Sequence, residues 1–171
     1  MLSALAASGC LAATAVAHPE GDVKIAAGTL AGTAWTVRAS VAPGGGGPGF
    51  LYACFSLSTS GGGPSSDGCG QLSLQAESPT DAFFGMSERG VNACPGFGLA
   101  YGAVAAAARV VQLTLSDGTT IRTATIRARG GLPGSLRFYV SPVPCAATVR
   151  KAVATSASGK VVGRLDFSGL P

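Results

Sequence analysis

A chain of 171 residues with 47% apolar and only 12% charged side chains is long enough to bury a core and too apolar for an intrinsically disordered segment. Its net charge of +4 comes mostly from scattered arginines, without the concentrated charge and stacking aromatics of a nucleic-acid binder, so nucleic acid is excluded as a partner. The 26 glycines, with abundant Val, Thr and Ser, predict short strands joined by glycine turns.

The first element is a leader. Residues 2–17 are small or apolar, carry no charge, and end in Ala15-Val16-Ala17, the small-x-small pattern that a signal peptidase pocket admits. The polar run His18-Pro19-Glu20-Gly21-Asp22 follows, so the reading is a signal peptide over 1–17, cut between Ala17 and His18, and a single β-sandwich domain over 18–171. The usual basic n-region is missing, since no Lys or Arg precedes Lys24. A rival processing point is Cys10. Ala7-Ser8-Gly9-Cys10 approximates a lipobox, with Ala7 where Leu is preferred, and a lipid on Cys10 would tether the protein to a membrane. The longest later apolar run, "LAYGAVAAAARVVQLTL", is interrupted by Arg109 and Gln112 and is too short to span a bilayer.

"TLAGTAWTVRASV" reads as a first strand or hairpin with Trp35 as a core anchor, and "APGGGGPG" as a flexible loop. In "FLYACFSLS" the residues Leu51, Ala53, Phe55 and Leu57 alternate with Tyr52, Cys54, Ser56 and Ser58. In "CGQLSLQ" Cys69 likewise falls opposite Leu72 and Leu74. Both cysteines therefore lie on the face away from the apolar residues. With "TSGGGPSSDG" as the connecting loop, a Cys54–Cys69 bridge is natural, closing a loop of about 15 residues. Cys94 and Cys145, each beside a proline, are left to pair with one another. An exported chain meets an oxidising compartment, which makes disulfides the default. A metal site is disfavoured, because there is no C-x-x-C and His18 is the only histidine.

"AFFGMSERG" places Phe83 and Phe84 beside a turn, and these aromatics read as core packing. The Ala103–Ala108 run could be helical by propensity, but its valine-rich sequel argues for strand or loop. The clearest unit is "ARVVQLTLSDGTTIRTATIRA". Val111, Leu113 and Leu115 face one way, and Asp117-Gly118 signals a hairpin. A two-residue loop would pair Leu113 with Arg122 and mix the faces. A three-residue loop, Ser116-Asp117-Gly118 with Gly118 left-handed, pairs Leu113 with Ile121 and Gln112 with Arg122, so the longer loop is expected. Ile126 falls on the wrong parity, which predicts a bulge or strand end after Ala124. "LRFYVSP" reads as a short strand stopped by Pro142, and "ATVRKAVATSASGKVVGRLDF" as a last hairpin turning at Ser158-Gly159. These elements add up to an all-β fold: a two-sheet, immunoglobulin-like sandwich of about nine short antiparallel strands, braced by disulfides.

"YGAV" at Tyr101–Val104, "ARVVQLTLSDG" at Ala108–Gly118, "LRFYV" at Leu136–Val140 and "SGKVVGRLDF" at Ser158–Phe167 occur in this order. The succession resembles small secreted proteins of unknown function from high-GC Gram-positive bacteria. It covers about the last 70 residues. Its motifs are structural, so the resemblance implies secretion and no particular activity. A looser, compositional likeness is to the chromoprotein apoproteins, small two-disulfide sandwiches that carry an apolar ligand, and it transfers no residue.

Catalytic constellations are wanting. A Ser-His-Asp or Cys-His arrangement needs a scaffolded histidine, and His18 lies at the expected new N-terminus. There is no G-x-S-x-G, H-E-x-x-H or P-loop, and "GFGLAYG" lacks the third glycine of a dinucleotide fingerprint. Of the acids, Asp67 and Asp117 have turn roles, Glu77 and Asp81 fit a local cap, and Glu88 has Arg89 beside it, so no carboxylate pair is placed for hydrolysis. No catalytic, cofactor-binding or metal-binding residue is assigned. Arg127 and Arg129 form the densest basic group, read first as a solvated strand face and second as a patch for an anionic polymer or membrane surface. The leading function is a non-catalytic extracellular or envelope-associated domain that binds a protein or a wall polymer. One alternative is a secreted protease inhibitor presenting "ERGVNACPG" beside Cys94. The other is a carrier of a small apolar ligand in a cleft lined by Phe83, Phe84 and Phe97.

Overall fold

The structure, a computed structural model, describes residues 22–44, 49–60, 66–73, 83–88, 97–144 and 147–167. It is all-β, with three four-stranded antiparallel sheets. The first runs β1 (Val23–Leu30), β2 (Thr33–Pro43), β3 (Phe50–Thr59), β4 (Ser66–Ser73) in consecutive order. The second is ordered β5 (Phe83–Glu88), β6 (Phe97–Ala105), β10 (Leu136–Pro144), β9 (Ile126–Arg127). The third is ordered β12 (Val161–Asp166), β11 (Val149–Thr155), β7 (Val110–Leu115), β8 (Thr120–Ala124). The expected two-sheet immunoglobulin-like sandwich of about nine strands is corrected on two counts. The hydrogen bonding divides the strands among three sheets. Among the described residues there are twelve strand segments, or eleven if β8 and β9 count as one strand interrupted at Thr125.

The alternation read in β7 holds: Val111, Leu113 and Leu115 are buried, and their even-numbered neighbours are half-buried. The three-residue loop follows from it. Leu113 pairs with Ile121 and Gln112 with Arg122. Leu115 N donates to Thr119 O at 2.8 Å, and Gly118 takes φ +83°, a left-handed backbone that glycine adopts without steric cost. Asp117 Oδ1 accepts from Thr119 N at 2.8 Å. That bond favours the carboxylate and holds its pKa below 3.8. The same turn recurs between β11 and β12, where Ser156 N donates to Lys160 O and Gly159 is left-handed at φ +81°.

The second sheet lies between two cores, and its alternation shows this. On β6, Leu99, Tyr101 and Ala103 enter one core while Ala100 and Val104 enter the other. On β10, Leu136 and Phe138 enter the first while Tyr139 and Val143 enter the second. One core is closed by Val37, Ala39, Ala53, Phe55, Leu57 and Leu72 of the first sheet, and the other by β7 and β11 of the third. A strand covered on both faces reads as a continuous apolar run, and so "LAYGAVA" is neither a helix nor a half-buried strand. The Phe55 ring sits 5.7 Å from that of Tyr101 and 6.2 Å, edge-on, from that of Phe138, joining the first two sheets.

Cys54 and Cys69 are direct cross-strand partners and form the expected disulfide. Ala53, Phe55 and Leu57 point to the core from the opposite face of β3. β4 begins at Ser66, so the segment expected as loop up to Gly68 ends earlier. β1 begins at Val23, six residues before the stretch expected as the first strand or hairpin. It pairs with β2 across a two-residue turn in which Ala31 and Gly32 both have positive φ, +47° and +82°. Trp35 is half-buried against the first core, opposite Gly28, where a Cβ would come within 2.7 Å of Trp35 Cζ2. β10 does not stop at Pro142 but continues to Pro144. Its partner β9 covers only Arg137 and Phe138, so Pro142 occupies a stretch that lacks this neighbour, where a missing N–H is tolerated. Cys10, Ala17, His18, Cys94, Cys145, Glu77 and Asp81 lie outside the described residues.

Candidate functional site

The parity mismatch at Ile126 has a larger consequence than a bulge. The chain leaves the third sheet at Ala124 and joins the second at Ile126, and Thr125 is the hinge between them. Thr125 is buried, and its backbone N donates to Arg109 O at 2.9 Å. Its Oγ1 donates to Ala108 O at 2.9 Å and accepts from Arg137 Nε at 2.6 Å, while Arg137 Nη2 donates to Thr125 O at 2.8 Å. Arg109, immediately before β7, bends its guanidinium back so that Nη1 donates to Ala106 O at 2.7 Å and Ala108 O at 2.9 Å.

These bonds line a pocket of about 290 Å³ formed by Ala106, Arg109, Arg127, Ala128, Gly134, Leu136 and Arg137. One wall is the β6–β7 turn, tied down where Ala106 N donates to Ser135 O at 2.9 Å. Another is the loop after β9, in which Leu136 N donates to Pro133 O at 3.0 Å. Three arginines line it, with Arg109 and Arg127 near enough to act on the charge of Arg137, and no carboxylate is among the lining residues. Arg127 stands directly opposite Arg137 in the β9–β10 register, a like-charge pair that destabilises a sheet. Partial burial, and then the nearby charges of Arg109 and Arg127, lower the pKa of Arg137 below the ordinary arginine value, while leaving it charged at neutral pH. The arrangement is an electropositive concavity without an internal counter-ion.

Of the basic group marked in the sequence, Arg127 lines this pocket and Arg129, also exposed, does not. Arg109 and Arg137 were not associated with it in the sequence. The missing signal is the β9–β10 register, which only the sheet exchange at Thr125 creates. Among the described residues, no group of three or more His, Cys, Asp and Glu side chains comes together. Residues 89–96 of the segment expected as an inhibitor loop lie outside the described residues, as do the side chains of Phe83, Phe84 and Phe97, whose backbones belong to β5 and β6. Comparison with known proteins finds no matching family model, no matching curated protein and no matching solved structure.

Proposed function

We propose that this chain is a non-catalytic, exported β-domain that binds an anionic wall polymer through the pocket of Arg109, Arg127 and Arg137. The observation that carries the reading is that three arginines line one pocket with no carboxylate in the lining and with two of the three in direct cross-strand opposition. An anion bound between the charges would relieve that repulsion. The disulfide supports an oxidising, extracellular compartment. The pocket contains no nucleophile paired with a base, which supports binding over turnover. Cleavage between Ala17 and His18 would release the domain, and a lipid on Cys10 would hold the same domain at the membrane surface. The intact mass of the exported protein separates these two forms.

The function is tested by retention of the disulfide-bonded protein on a phosphate-containing polyol polymer and on a neutral glucan. Retention on the charged polymer alone, falling as ionic strength rises, is expected, because salt screens exposed charges. Equal behaviour on both polymers, or turnover of an ester, peptide or glycan panel, would overturn the reading.

A further inference from the structure

We infer that the arginine pocket is a stoichiometric site for one phosphoryl group, carried on a small polyol or sugar, and not a diffuse basic surface. The inference rests on the anionic-polymer reading for the biological source of that group. The first argument is charge. Three guanidiniums without a lining carboxylate call for a multiply charged anion. A phosphomonoester carries about −1.5 to −2 at neutral pH, whereas a carboxylate brings one charge.

The second argument is donor geometry. Thr125 engages Nε and one hydrogen of Nη2 on Arg137. Among the described contacts, the end-on edge of that guanidinium, Nη1 with the second Nη2 hydrogen, remains for a ligand. Arg109 is fixed the other way round: its Nη1 is held by two carbonyl oxygens, leaving the Nε and Nη2 edge. Two forks held by backbone and buried hydroxyl contacts suit bidentate binding of oxyanion pairs. A tetrahedral group offers oxygens to both forks and to exposed Arg127 together, which a planar carboxylate cannot.

The third argument is size. The volume of about 290 Å³ lies at the lower end of the range for small-ligand pockets. Ala106, Ala128, Gly134 and Leu136 add no further charge. The space beyond one anion therefore suits a small neutral carrier.

The test is calorimetric titration of the disulfide-bonded protein with inorganic phosphate, glycerol 1-phosphate and acetate at fixed ionic strength. Saturable 1:1 binding of both phosphates, at least about tenfold tighter than acetate, is expected from charge-assisted bidentate contacts. Arg137→Lys keeps the charge and removes the fork, so it should weaken phosphate binding about tenfold or more. Arg127→Ala, at an exposed position whose loss leaves the fold intact, should weaken it by a similar factor. Acetate binding as tightly as phosphate, no saturable phosphate binding, or an unaffected Arg127→Ala protein would each overturn the inference. The two readings separate cleanly. Polymer retention without phosphate binding overturns the pocket inference and leaves a polymer binder whose site lies elsewhere on the domain. Phosphate binding without polymer retention supports the pocket and removes the polymer.

Discussion

Thr125 occupies the one position where the chain passes directly from the third sheet to the second, and its hydroxyl serves two partners from a buried site. Replacing it with valine keeps the shape and removes both bonds, leaving the Arg137 Nε short of a partner while Ala108 O keeps its bond from Arg109 Nη1. Thr125→Val should lower unfolding stability by about 1–3 kcal/mol, the range for stranding a buried polar group. A urea titration of the two proteins measures this, and an unchanged midpoint would show that the hydroxyl holds nothing in place. Residue identity made part of this visible. The wrong parity of Ile126 was a sound signal that β8 ends, because side-chain alternation is a local property. That Arg137 would stand opposite Arg127 was not visible. The two are ten residues apart in sequence with a glycine loop between them, and only the hydrogen-bond register sets their distance.

At the scale of single elements, turns divide into those that the sequence chemistry specifies and those that it only tolerates. The β7–β8 loop could be derived because just one loop length keeps apolar residues opposite apolar ones and puts glycine at the left-handed position. The β1–β2 turn could not, because Ala31 sits at φ +47°, where a Cβ is unfavourable and where Asn or Gly is the usual occupant. Ala31→Asn should therefore stabilise the protein by about 0.5–1 kcal/mol, since asparagine relieves that strain without the extra chain entropy of glycine. A rise in thermal midpoint checks it, and a fall would show that the turn has adapted to alanine. Within the first sheet, the Cys54–Cys69 bridge spans 15 residues and should contribute about 3 kcal/mol. Denaturant unfolding of the Cys54→Ala/Cys69→Ala protein against the oxidised parent measures that contribution, and coincident curves would remove it.

For the whole molecule, the placement of one sheet between two cores accounts for what the composition left ambiguous. Alternation and turns were legible one hairpin at a time, but the strand count was not, since about nine were expected and the sheets hold more. The number of layers was not, because nothing in "LAYGAVA" alone distinguishes a strand buried on both faces from an apolar strand covered on one. Tyr139 is the residue through which this layering can be tested. It lies on the middle sheet, 2% exposed, and burial disfavours the phenolate so that its pKa is raised well above the ordinary tyrosine range. For a group whose pKa is higher in the folded state, the stabilisation is complete below the unfolded value and is lost as pH rises past it toward the folded one. Stability should therefore be insensitive to Tyr139 through neutral pH. Above pH 10 it should fall, with a contribution from this side chain approaching about 1.4 kcal/mol per pH unit. Tyr139→Phe removes the ionisable group at a pH-independent cost of about 1 kcal/mol for the hydroxyl's hydrogen bonding. Urea midpoints for both proteins between about pH 8 and pH 11.5 should then converge as pH rises and cross between about pH 10.5 and 11, because only the parent retains this titration. Parallel curves across that range would mean that the Tyr139 hydroxyl reaches solvent, and that the middle sheet is not closed on the face it turns to the third.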